Sequence, residues 1–140
     1  MTQHDVPSKL AKVPIFSECT KRELNIIARA SKEVPHKAGT VIAREGERGI
    51  GLFLILEGDC RVSIGGKTKA KLGPGDFFGE VALLDGGPRT ATVIAETPMT
   101  VLTLERSGFR RVIESEPEVA VKILASIATM LRRLQRSTTG

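Results

Sequence analysis

The spacing of apolar residues changes period twice along the chain. Leu24, Ile27 and Ala28 recur at helical steps on a polar background, and Thr20 with Glu23 forms a capping-box pattern. This predicts a helix over 21–31, counted 20–31 with its cap, with one apolar face and Pro35 closing the region. From 40 to 105 the pattern breaks into short β-rich runs at 40–43, 51–57, 59–64, 68–72, 90–96 and 99–105, with glycine or proline between them. Such runs predict a compact β-roll or jelly roll. Gly65-Gly66 suits a two-residue hairpin turn with positive φ angles, and Gly73-Pro74-Gly75 marks a second tight loop.

Helical spacing returns near the end. Ser107 is expected to cap a short turn through Ile113, and Ser115-Glu116-Pro117-Glu118 reads as a second capping box with proline in the first turn. Beyond it Val119 or Ala120, Ile123, Leu124, Ile127, Met130, Leu131 and Leu134 make an apolar stripe, suited to core or homodimer packing. At the other end residues 1–7 are polar, and 8–13 are expected to form a brief turn ended by Pro14. The fold class is mainly β with flanking helices (α+β). One domain spans 1–140: a tail and turn at 1–14, a helix at 20–31, strands within 40–105 and helices over 107–136.

One segment interrupts the strand series, Phe-Gly-Glu-Val-Ala-Leu-Leu-Asp-Gly-Gly-Pro-Arg-Thr-Ala-Thr at 78–92. Gly79 lacks a Cβ and lets backbone come close to a ligand. Val81, Ala82, Leu83 and Leu84 read as one helical turn stopped by Gly86, Gly87 and Pro88. The first amides of such a turn have no partner inside it and favour an anion. Arg89 adds a planar cationic fork matched to phosphate oxygens. Glu80, acceptor-only when ionised, would repel that phosphate unless aimed elsewhere, and a sugar hydroxyl offers the donor it needs. A carboxylate for sugar and a guanidinium for charge suit a sugar joined to a phosphodiester.

At these residues the segment resembles the phosphate-binding cassette of the cyclic-nucleotide-binding domain found in protein kinase regulatory subunits, gated ion channels and the catabolite activator protein. The cassette pattern, Phe-Gly-Glu, a short apolar helix, then Pro-Arg-Ser/Thr/Ala-Ala, is filled here at every position. Glu45-Gly46-Glu47, the run 52–58 and Leu72-Gly73-Pro74-Gly75-Asp76 extend the likeness, which covers roughly 15–134. The resemblance implies a β-roll with N-terminal helices and a C-terminal lid helix. It places Glu80 on the ribose 2′-hydroxyl, Arg89 on the cyclic phosphate, and Gly79, Val81, Ala82, Thr90 and Ala91 around them. By the same resemblance Val62, Ala70 and Leu72 lie under the base, and Met130, Leu131 or Leu134 closes on it while Arg133 reaches its edge; each apolar member also suits ordinary core. The ligand implied is cAMP or cGMP, with no cofactor. Thr90 stands where family members that accept cGMP often carry threonine, whereas related channels with threonine there prefer cAMP; we read cAMP first. Thr90 also suits a strand or a phosphate contact.

Composition narrows the alternatives. The formal charge of +5 admits nucleic acid, but the basic residues are scattered, and tyrosine and tryptophan are absent, so no stacking platform stands out. Arg132, Arg133 and Arg136 form a basic helix end that complements the helix dipole in any protein. No helix-turn-helix follows Arg136, so the expected output is a sensor read by a downstream protein, without a DNA-binding domain of its own. Cys19 and Cys60 match no metal or redox spacing. The only histidines, His4 and His36, do not assemble a cupin-like metal centre, and no serine has a histidine partner; no catalytic or metal-binding residue is assigned. Glu80 with Asp85 makes a carboxylate pair only if their helical context is ignored. No signal or membrane-spanning segment is expected, and a cytoplasmic location follows. A ligand-free interaction module of the same fold stays open as the alternative, although it would keep Glu80 and Arg89 at a cost.

Overall fold

The computed structural model describes residues 5–139, so His4 and Gly140 lie outside the described residues. In chain order the elements are α1 (Val6–Leu10), a 3-10 turn (Pro14–Phe16), α2 (Lys21–Arg29), β1 (Lys32–His36), β2 (Val41–Ala43), β3 (Gly51–Glu57), β4 (Cys60–Ile64), β5 (Lys67–Leu72), β6 (Phe77–Phe78), α3 (Glu80–Asp85), β7 (Thr92–Ala95), β8 (Met99–Glu105), α4 (Arg106–Ser115) and α5 (Pro117–Thr139). They group into a β unit of residues 31–109 and a helical unit made of the residues before and after it.

The β unit contains two four-stranded antiparallel sheets, ordered β1-β8-β3-β6 and β2-β7-β4-β5. Their shared core takes Phe53, Ile55, Met99 and Val101 from one sheet and Ala43, Cys60, Val93 and Ala95 from the other. Burial pushes the Cys60 thiol up to about 11, so it behaves as a small apolar side chain. All residues from Gly51 to Leu56 are buried. Strand β3 is thus covered on both faces, which is why its sequence shows an unbroken apolar run and no alternation. The β-roll expected from the spacing of the runs is the fold observed. Gly65 and Gly66, at φ 58° and 81°, make the expected hairpin turn between β4 and β5. At the sheet edge β5 carries exposed Lys67, Lys69 and Lys71, charges that oppose further strand pairing.

Several expectations are corrected. Strands β1 and β6 were not expected. Lys32–His36 contains Pro35, which reads as a breaker, but β1 is an edge strand, where a missing N–H is tolerated. Phe77–Phe78 is too short to show a period. The first helix starts at Val6, two residues before the expected turn, because Asp5 caps it by accepting from the Ser8 amide, and Pro14 opens a 3-10 turn. Ser107 lies inside α4 and does not cap it. Ser115 does not begin a capping box, since its hydroxyl donates to the Val112 carbonyl. The stripe on α5 is also split. Val119 and Ile123 are buried, while Leu124, Leu131 and Leu134 are exposed.

Within the helical unit the Thr20–Glu23 capping box forms as expected, and α5 adds to it. Lys122 donates to Glu23 Oε1 at 2.7 Å, and the Thr20 amide donates to the same oxygen at 2.8 Å. Burial alone would raise the Glu23 carboxyl, but these bonds and the Lys122 charge outweigh it and hold the group below its ordinary value. The sign follows: stability from Glu23 is fully present above the unfolded carboxyl value of about 4.3 and is lost as pH falls through the lower folded value. We expect thermal melts to show this acid loss in the parent and a shallower one in Glu23→Gln. Parallel curves below about pH 4 would refute the assignment.

Candidate functional site

The site is assembled from three parts of the β unit. Leu83 is almost wholly buried, α3 packs on β3, and Gly79 and Gly86 bracket the helix in left-handed conformations. The loop after α3 is stitched to the loop before β3. Arg89 donates its amide to the Glu47 carbonyl at 2.7 Å, its own carbonyl accepts from Gly46 at 2.8 Å, and Gly49 donates to Gly87 at 3.0 Å. These bonds fix the backbone of Arg89 without involving its side chain.

The guanidinium is held separately. Nη2 donates to the Gly51 carbonyl at 2.9 Å, and Cζ lies 5.0 Å from the centre of the Phe53 ring. Phe53 in turn stacks on Phe78, with centroids 4.8 Å apart and an interplanar angle of 18°. A planar cation on an aromatic face is oriented as well as attracted. Burial lowers the Arg89 group from its ordinary value, and the nearby Glu80 charge works the other way. Among the described residues no carboxylate forms an ion pair with it. The room left by the absent Cβ of Gly79 is filled by Arg89: a Cβ there would collide with Nη1 and with the Gly51 carbonyl. This glycine thus brings backbone close to the arginine.

A cavity of about 620 Å³ opens beside these groups. Gly79, Glu80, Val81, Ala82, Arg89, Thr90 and Ala91 line it, together with Val62 and Leu72. The structure therefore brings together every cassette residue expected from the sequence and two of the three strand positions. Ala70 is cross-strand from Val62 but exposed, and is not part of the wall. Met130, Leu131, Arg133 and Leu134 belong to α5 in the helical unit, and Leu131 and Leu134 are more than half exposed. Sequence reasoning missed Phe53, Gly51 and Val93. Nothing in the apolar run at 52–56 says which face carries the arginine, although alternation from Ile55 would have put Phe53 on the inter-sheet side. Among the described residues no group of three or more histidine, cysteine or acidic side chains could hold a metal ion, and no helix is long and apolar enough to cross a membrane.

The fold and this wall define a class. The sequence profile of the cyclic nucleotide-binding domain matches residues 33–116, and the chain belongs to that family. The cyclic nucleotide-gated potassium channel mll3241 of Mesorhizobium japonicum is 41% identical over 111 residues, 79% of this chain and 31% of the channel. A cAMP-dependent protein kinase regulatory subunit of Yarrowia lipolytica is 41% identical over 106 residues, 74% of this chain and 28% of that protein. This chain thus spans about a third of the length of these curated relatives. Among solved structures, the N-terminal domain of a transcriptional regulator from Streptomyces coelicolor A3(2) superposes with a TM-score of 0.84 at 28% identity, covering 90% of this chain and 94% of that one.

Proposed function

We propose that this domain is a cAMP sensor that also admits cGMP, with the cyclic phosphate on Arg89, the ribose 2′-hydroxyl on Glu80 and the base over Val62 and Leu72. The observation that carries the reading is the presence of Arg89 and Glu80 on the wall of one cavity with an apolar floor. Its volume falls inside the range of about 300–1,000 Å³ that small-molecule sites occupy. A charged fork, a carboxylate acceptor and an apolar surface supply one recognition element for each part of a cyclic nucleotide. The kinase relative is named for cAMP, which favours it as the first ligand to test. Glu80 and Arg89 bind and orient the ligand, and no bond is made or broken. The cytoplasmic location and the downstream protein effector belong to the same reading. The output is a change in the position of α5, which the resemblance implies and which a ligand can produce only through different affinities for two states.

Thermal melts with each nucleotide test the reading. At a hundredfold excess over the dissociation constant, binding is expected to stabilise the domain by about 2.7 kcal/mol. No shift with either nucleotide at millimolar concentration would leave the ligand-free interaction module. Thr90→Ala separates the bases. Because Thr90 lies exposed at the cavity wall, its hydroxyl is free to select guanine, and the variant should lose cGMP affinity by roughly three- to tenfold while keeping cAMP. Unchanged cGMP titration would remove any role for the hydroxyl.

A further inference from the structure

Helix α3 has six residues, too few to hold its shape without outside partners. Its last turn leaves carbonyls that no amide within the helix can reach. The Gly86 amide takes one, donating to Ala82 at 2.8 Å. Arg106 takes the next two: Nε donates to the Leu83 carbonyl and Nη2 to the Leu84 carbonyl, each at 3.3 Å. The position of this arginine is itself fixed, because its amide donates to the Ile50 carbonyl at 2.8 Å. Gly86 makes the approach feasible, since a Cβ there would come within 2.8 Å of Arg106 Nη1. A cation on the carbonyl end of a helix also meets the negative pole of its dipole.

We infer that Arg106 is a positioning residue for the nucleotide pocket: it clamps the C-terminal end of α3 and so sets where Glu80 stands relative to Arg89. Glu80 is the first residue of α3, so a slide or fraying of this short helix moves its carboxylate relative to Arg89, whose backbone is pinned separately by Glu47 and Gly46. Arg106 does not line the cavity, so the effect of its side chain on ligand is indirect, through the α3 carbonyls it holds. This rests on the nucleotide reading of the pocket, and its test separates the two.

The test combines calorimetric titration of cAMP with amide hydrogen exchange in parent, Arg106→Ala and Arg106→Lys. The alanine variant is expected to bind cAMP about tenfold more weakly, the cost of about one charge-assisted hydrogen bond. The Leu83 and Gly86 amides should exchange faster in it while β3 amides are unchanged, and lysine, which can reach the same carbonyls, should restore part of both effects. Equal affinity, or weaker binding without faster exchange at Leu83 and Gly86, overturns the assignment. So does faster exchange throughout the domain. Should Arg106→Ala not fold, Arg106→Lys against Arg106→Gln carries the same comparison. If the parent binds neither cAMP nor cGMP, the nucleotide reading fails, and exchange in the ligand-free proteins still decides whether Arg106 holds α3.

Discussion

Replacing Arg89 by alanine is expected to weaken nucleotide binding by roughly thirty- to several-thousandfold, while the domain stays folded and melts within a few degrees of the parent. The range corresponds to about 2–5 kcal/mol, the usual cost of truncating one partner of a desolvated, hydrogen-bonded charge pair. The fold tolerates the change because the side chain contributes two modest interactions, the bond to the Gly51 carbonyl and the contact with Phe53. Against these stands the burial of a cation with no ion-pair partner among the described residues, which the alanine relieves. Backbone bonds from the Arg89 amide and carbonyl to Glu47 and Gly46 do not depend on the side chain. Arg89→Lys should fall between the parent and the alanine variant, since an ammonium keeps the charge but cannot fork two phosphate oxygens. Calorimetric titration with circular dichroism melts decides the matter. A folded alanine variant that binds with parental affinity would remove Arg89 from the site.

The cassette was legible because its residues are close in sequence and chemically distinctive. Glu80 and Arg89 are nine positions apart, and the segment between them has only one short helix to form, so sequence order nearly fixes spatial order. Strands β3 and β8 were legible to the residue because glycine, glutamate and proline bound long apolar runs. What could not be read depends on pairing between distant segments. Proline at Pro35 argues against a strand until β1 is known to lie at an edge, and sheet order is a tertiary fact. Ser107 and Ser115 matched capping patterns but lost to neighbouring geometry: β8 runs straight into α4, and Ser115 satisfies a carbonyl behind it. The grip of Phe53 and Gly51 on Arg89 spans more than thirty residues, and Arg106 reaches α3 across more than twenty. No local signal marks either contact.

Gly79 is where fold and site make competing demands, and Gly79→Ala should damage both. Its φ of 88° strains any residue with a Cβ, and the added carbon would meet the Gly51 carbonyl, which is held in β3 and cannot yield cheaply. Together with the overpacking this should destabilise the domain by about 2–4 kcal/mol. The same carbon would also push Arg89 Nη1 from its place, so affinity should fall by at least about tenfold even where the variant remains folded. The two effects can be separated with a double-mutant cycle. In an Arg89→Ala background the guanidinium is gone, so Gly79→Ala should cost no further affinity, while its destabilisation should persist through the backbone strain and the Gly51 collision. Additive losses of affinity would mean that Gly79 acts on the ligand directly, through backbone approach, and that the room it leaves for Arg89 is incidental. Isothermal titration at a temperature well below the midpoint of every variant keeps the unfolded fraction from imitating a loss of binding.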